Sequence, residues 1–256
     1  MTSIRGAAVI GAMMVAIAGA DAEAADLNGG SAKDGYIPAP TILSSSPSSW
    51  YLRVDGAHAR HDDPIMVEDH IYDLVDTDIS NTWSVGAGVG RYLGNGFRFD
   101  VTYDYRLEAD AQGTLHNHAA TLDGTRAFGL KSHLMLANLY YDFNAGGRFS
   151  PYLGVGLGWV RHVTTTGSVV DTCGCTGSIA GDTTDSVAAA IMAGFNIKLR
   201  DRLSLDAGYR FLYLGDAATG PVTGDFGGGL VEVSEDPTVE NIHAHEFRFG
   251  LRYDIN

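Results

Sequence analysis

Little in this chain would staple a small secreted protein together. Its two cysteines stand side by side as Cys173-Gly174-Cys175. C-x-C is too close for ordinary disulfide geometry, which leaves a strained ring or pairing between molecules. A zinc or redox role would need partners that the sequence does not place. Basic residues are scarce too, with 17 Lys and Arg against 31 Asp and Glu, a formal charge of −14. That balance disfavours nucleic-acid binding. Long apolar runs are missing. The one continuous run, Ala7 to Ala20, is roughly 14 residues against the ~20 a spanning helix needs.

That run has another use. Arg5 precedes it and Ala22-Glu23-Ala24 follows it, an A-x-A cleavage pattern. Residues 1–24 therefore read as a secretory signal peptide, with a second candidate cut at Ala20-Asp21-Ala22. Residues 25–49 carry Gly29, Gly30, Pro38, Pro40, Pro47 and a run of Ser. They lack periodicity and read as a flexible periplasmic lead-in. Residues 50–256 remain for one domain.

What the chain does have is strict alternation. In the last stretch Phe247, Phe249, Leu251, Tyr253 and Ile255 share one parity, and Glu246, Arg248, Gly250, Arg252 and Asp254 the other. Side chains alternate faces along a strand, so this ribbon has one dry and one charged face. The pattern recurs over about 50–57, 82–93, 97–106, 132–144, 149–162, 186–199 and from Leu203 to Tyr213. It is cleanest after the turn Gly94-Asn95-Gly96. There Phe97, Phe99, Val101, Tyr103 and Tyr105 alternate with Arg98, Asp100, Thr102, Asp104 and Arg106. The strands number about eight, each near the 9–11 residues that a tilted strand needs to cross a membrane.

Short and long connections alternate. The long ones are about 58–81, 107–131, 163–185 and 215–242. Trp83, Tyr105, Trp159 and Tyr213 sit at strand ends near the long connections, and Trp50, Phe97, Phe143 and Tyr253 near the short ones. Two aromatic girdles with short turns on one side and long loops on the other describe an outer-membrane barrel. The expected fold is all-β: an eight-stranded antiparallel up-and-down transmembrane β-barrel with long extracellular loops. The alternative is a soluble, lipocalin-like barrel. It needs the opposite phase, and the girdles, the signal peptide and the turn pattern count against it.

The residues also resemble a family. Ser150-Pro151-Tyr152-Leu153-Gly154-Val155-Gly156-Leu157-Gly158-Trp159 is similar to the S-P-Y-x-G-x-G-x-G stretch of small outer-membrane barrels of the OmpA/Opa-like superfamily. Asp34-Gly35-Tyr36-Ile37-Pro38-Ala39-Pro40 and Ser49-Trp50-Tyr51-Leu52-Arg53 resemble the rhizobial porin-family branch. The resemblance implies an outer-membrane location and no shared catalytic residues. Such chains usually end in Phe or Trp, part of the signal read by the barrel-assembly machinery. This one ends Tyr253-Asp254-Ile255-Asn256.

The inward parity collects Arg53, Asp55, Arg98, Asp100, Asp104, Arg106, Asp142, Lys198, Asp206, Arg210, Glu246, Arg248 and Arg252. Eight strands enclose a space that side chains just fill, and buried charges must be paired. The set reads as a salt-bridged polar plug. The alternative is a narrow ion path, because Gly-rich strands leave volume beside the charges. Acidic residues cluster in loop one (Asp62, Asp63, Glu68, Asp69, Asp73, Asp76, Asp78) and loop four (Asp216, Asp225, Glu232, Glu235, Asp236, Glu240). They read as solvated surface, or as a face for cations or cationic partners.

All nine histidines lie toward the long-loop end. His116 with His118, and His243 with His245, are candidate surface metal pairs. The expected function is a non-enzymatic outer-membrane protein for envelope integrity and surface contact, with a narrow channel for small ions or solutes as the alternative. His162-Val163-Thr164 only approximates the H-x-S pair of barrel deacylases, and no catalytic residue is expected. No cofactor is expected. The expected partners are outer-membrane lipid and lipopolysaccharide, the assembly machinery, and an extracellular cation or host surface.

Overall fold

The computed structural model describes residues 49–69, 72–116, 123–171, 176–225, 230–234 and 237–255. The expected signal peptide, all but the end of the lead-in, His118, the cysteine pair and Asn256 lie outside the described residues. Among the described residues sixteen strands follow in chain order. They are β1 (Trp50–His61), β2 (Ile65–Asp69), β3 (Tyr72–Ile79), β4 (Thr82–Gly94), β5 (Phe97–His116) and β6 (Asp123–Asp142). Next come β7 (Phe149–Thr164), β8 (Gly167–Asp171), β9 (Thr176–Ile179), β10 (Thr183–Arg200) and β11 (Leu203–Tyr213). Last are β12 (Ala217–Ala218), β13 (Val222–Asp225), β14 (Leu230–Ser234), β15 (Thr238–Glu240) and β16 (His243–Ile255).

Eight of these close a barrel. β1, β4, β5, β6, β7, β10, β11 and β16 pair antiparallel in that circular order. β16 closes on β1 in unbroken register from Trp50↔Ile255 to His61↔Ala244. The tight turn between β4 and β5 has positive φ at Gly94, Asn95 and Gly96 (90°, 53° and 83°). Only Gly and Asn adopt that region readily, which explains the sequence there.

The phase decides the medium. Outward side chains such as Leu157 (67% exposed), Val187 (65%), Phe249 (65%) and Ile191 (64%) form a continuous apolar wall. Inward lie Arg98, Asp100 and Arg210, each 0% exposed. A soluble barrel needs the reverse, so the lipocalin-like alternative fails. Such an apolar wall is stable against lipid.

The long connections are not open loops. β5 and β6, 20 residues each, run on as a paired ribbon well past the expected ends. β3, β2, β15 and β12 continue the sheet from β5 on one side. β8, β9, β13 and β14 continue it from β6 on the other. This outer layer has an apolar core that includes Met66, Ile79, Phe128, Leu130, Val160, Ile179, Leu214, Val222, Val239 and Ile242.

A β-bulge joins the two layers. The β5–β6 register is regular up to Arg106↔Ser132 and resumes at Ala109↔Leu130. Leu107 and Glu108 together oppose Lys131, and both are exposed. Below the bulge odd-numbered residues of β5 face lipid; above it they face inward, as buried Ala109 and Ala111 do. One extra residue thus moves a continuous apolar series from the lipid face to an internal core.

Candidate functional site: a filled lumen and an outer rim

The lumen of the membrane layer holds six arginines, Arg53, Arg98, Arg106, Arg210, Arg248 and Arg252. Six carboxylates match them: Asp55, Asp100, Asp104, Asp142, Asp206 and Glu246. Strand alternation aims all twelve inward, and the barrel brings distant strands together. Arg210 donates from Nε to Glu246 and from Nη1 to Asp104, both at 2.7 Å. Arg106 joins the same Glu246, and Arg248 pairs with Asp55. Arg53 links layers, donating to Asp55 and to Asp100, each at 3.2 Å. Nearer the short turns, Arg98 Nε donates to both Asp142 oxygens at 3.1 Å. Arg252 stands 3.7 Å from Asp206.

Buried charges are stable only when paired and hydrogen-bonded, and this set is balanced in number. Neutral groups complete it. Tyr51 donates to Asp100 at 2.9 Å, and Asn138 Nδ2 to the other oxygen of the same carboxylate at 2.8 Å. The Arg98 guanidinium lies 3.7 Å from the Tyr140 ring centre and 4.8 Å from that of Tyr152, whose ring meets Tyr140 edge-on. Sequence reasoning missed Tyr51, Asn138, Tyr140 and Tyr152. Their parity is the same as that of the charges, so the signal was present and only the residue type hid it.

Lys198 departs from the expected set. It is exposed at the short-turn rim, outside the network, where the β10–β11 register shifts between Lys198 and Arg200. The alternation loses its hold where the ladder ends.

The inward glycines leave less room than expected. A Cβ at Gly154 would lie 2.4 Å from the Tyr140 ring, and one at Gly90 2.3 Å from Tyr51. Tyrosine rings occupy the space that those glycines open.

The histidines divide into two groups. His61 and His162 are buried. Arg106 can only donate, so it fixes His61 Nε2 as acceptor (2.9 Å) and leaves Nδ1–H to the Ser80 carbonyl (3.1 Å). The Leu214 carbonyl accepts from His162 Nε2–H at 2.9 Å, so Nδ1 accepts from the Ser132 hydroxyl at 2.8 Å. Both rings are saturated structural links. With both nitrogens engaged and 1% exposure, His162 has no free nitrogen for the deacylase-like role.

The other described rings sit outward, at the girdle or just above it. His58 meets the Trp83 edge at 5.0 Å, His243 stacks on Phe211 at 5.6 Å, and His245 hydrogen-bonds Tyr209 and, at 3.2 Å, Asp62. His133 accepts or donates at Nδ1 to Tyr103 at 2.7 Å. Among the described residues no group of three or more His, Cys, Asp or Glu is placed to hold a metal. Of the other expected pair, His116 ends β5 and its side chain is not described. The exposed acidic residues of the outer layer include Asp62, Asp63, Asp76, Asp78, Asp216 and Glu240.

A closed eight-stranded barrel with a lipid wall and a polar lumen has a direct counterpart among family models. The model of the outer membrane protein beta-barrel domain matches residues 44–254. This chain belongs to that family. As an outer-membrane barrel, it places its short turns in the periplasm and its second layer outside. An uncharacterized protein of Brucella abortus is 26% identical over 253 residues, covering 86% of this chain and 87% of its own. A Brucella suis protein is similar to the same extent. Among solved structures, OprG of Pseudomonas aeruginosa aligns with TM-score 0.50 at 13% identity, over 80% of this chain and 96% of its own. Neisserial surface protein A aligns at 20% identity and TM-score 0.46, with the same coverage. At 13% identity the likeness to OprG bears on the fold alone.

Proposed function

We propose that this outer-membrane barrel is a non-enzymatic, non-conducting envelope protein. It would strengthen the membrane and present its acidic outer layer to the surroundings. The observation that carries this reading is the double filling of the lumen. Six arginines and six carboxylates occupy the membrane layer. Apolar side chains such as Ile179, Leu214, Val239 and Ile242 form the core of the outer layer above. An ion would have to strip its hydration shell among fixed ion pairs and then cross an apolar core.

The lipid wall fits contact with membrane lipid and lipopolysaccharide, and exposed Asp and Glu on the outer layer fit cations or a cationic host surface. Assembly machinery would engage the chain during insertion.

Single-channel recording of the refolded mature protein in a planar bilayer tests the reading. Insertion is verified by protease protection. A silent bilayer is expected. Reproducible discrete steps would overturn the plug and revive the narrow channel, with Arg98, Asp100 and Arg210 as lining residues.

A further inference from the structure

The outward face of the barrel carries cations at two places just above the outer aromatic girdle. One is the seam where β16 closes on β1; the other is the seam of β6 and β7, four strands away in either direction. Each holds an Arg–His cross-strand pair, Arg60↔His245 and Arg161↔His133. The two differ in what satisfies them. Arg161 is clamped by Asp185 in a bidentate pair at 2.8 and 2.9 Å, and neighbouring Lys131 by Glu108 at 2.7 Å. Arg60 is exposed and has no hydrogen bond or ion pair among the described residues.

Arg60 also has company. His58 lies two residues along the same strand, and His243 lies one pair further out on β16. Their rings contact Trp83, Phe211 and Tyr213, but their nitrogens make no hydrogen bond among the described residues. Three donors without partners therefore share one outward patch. Of the described carboxylates that line the pocket beside Arg60, Asp62 is hydrogen-bonded to His245 at 3.2 Å and Asp63 is exposed. Flanking His58 as its cross-strand partners, Phe247 (61% exposed) and Trp83 (60%) begin the apolar wall.

We propose that this seam binds the phosphate of an outer-leaflet glycolipid, with Arg60 as the principal contact and His58 and His243 as flanking donors. A guanidinium offers a planar fork that matches phosphate, and such bonds are charge-assisted. The lipid's acyl chains would lie on the wall below, so headgroup and tail are met by adjoining surfaces. Asp185 already satisfies Arg161, which leaves the opposite seam a weak competitor. The inference rests on the barrel's place in the outer membrane and not on whether its lumen conducts.

The test is native mass spectrometry of the refolded full chain in detergent, titrated with diphosphoryl lipid A and with its fully dephosphorylated form. Saturable binding of the phosphorylated lipid is expected. Arg60→Gln should weaken it about tenfold, Arg60→Lys should recover part of the loss, and Arg161→Gln should leave it within about twofold. Absence of saturable binding, equal binding of the dephosphorylated lipid, an unchanged Arg60→Gln variant or an equal loss in Arg161→Gln would each overturn the assignment. A conducting barrel with this lipid preference would overturn the function proposed above and leave the site standing.

Discussion

The two layers of this molecule obey opposite rules with one continuous sheet. In the membrane layer charges point in and Phe99, Leu139 and Ile191 point out. In the outer layer Phe128, Ile179 and Ile242 point in, and Asp78, Glu108 and Asp110 point out. The difference follows from the solvent. Lipid accepts an apolar wall and penalises an exposed charge, and water does the reverse. A polar core is tolerable only where every charge meets a partner, as the arginines and carboxylates do here. The outer layer, free to use ordinary apolar packing, needs no such matching.

The strongest way to break this contrast is to unbalance the lumen. Arg98→Glu sets a third carboxylate beside Asp100 and Asp142. The expected loss exceeds the about 3–5 kcal/mol for breaking a buried pair. Urea unfolding in detergent micelles measures it, and wild-type stability would refute the ion-pair core. In the outer layer Ile242→Ala should cost about 2–5 kcal/mol by opening a cavity. It should loosen the outer strands first, seen as faster proteolysis there with the barrel intact. If the whole barrel unfolds together, the layers are not separable.

The bulge offers a sharper test. Deleting Leu107 restores one-to-one pairing and keeps both phases, so the protein should still migrate as a folded barrel on unheated gels. Inserting a residue between Glu108 and Ala109 turns Ala109 and Ala111 outward, and the outer layer should become protease-sensitive. Equal tolerance of the two changes would mean that the bulge does not set the phase. On the lipid wall, Ile191→Arg should cost about 2–4 kcal/mol if its position is near the bilayer midplane. The smallest effect is expected at the exposed pair Arg161–Asp185, where Arg161→Gln should change stability by no more than about 1 kcal/mol. A larger change would indicate that the pair is shielded by lipid.

Legibility from sequence followed the same division. Period-2 alternation is a local property, so Phe97 to Arg106 and Glu246 to Ile255 revealed their strands, their phase and their inward charges without any knowledge of neighbours. Lys198 was misread because alternation predicts a face only while a ladder continues. The outer layer was read as loops for a related reason. Its strands are short, several of four or five residues, and too brief for a period to stand out.

The sequence alone determined the strand count of the barrel, the lipid-facing side, the orientation and the stock of charges inside. Each of these follows from side-chain parity, turn length and residue type along a single segment. Only the tertiary structure decided which arginine meets which carboxylate, that tyrosine rings fill the space above the inward glycines, and that His61 and His162 are buried links. It alone turned the long connections into a second layer with its own core. Those outcomes depend on side chains brought together from distant strands, as Asp55 and Arg248 are across 193 residues. No local pattern encodes a distance that closure of the barrel creates.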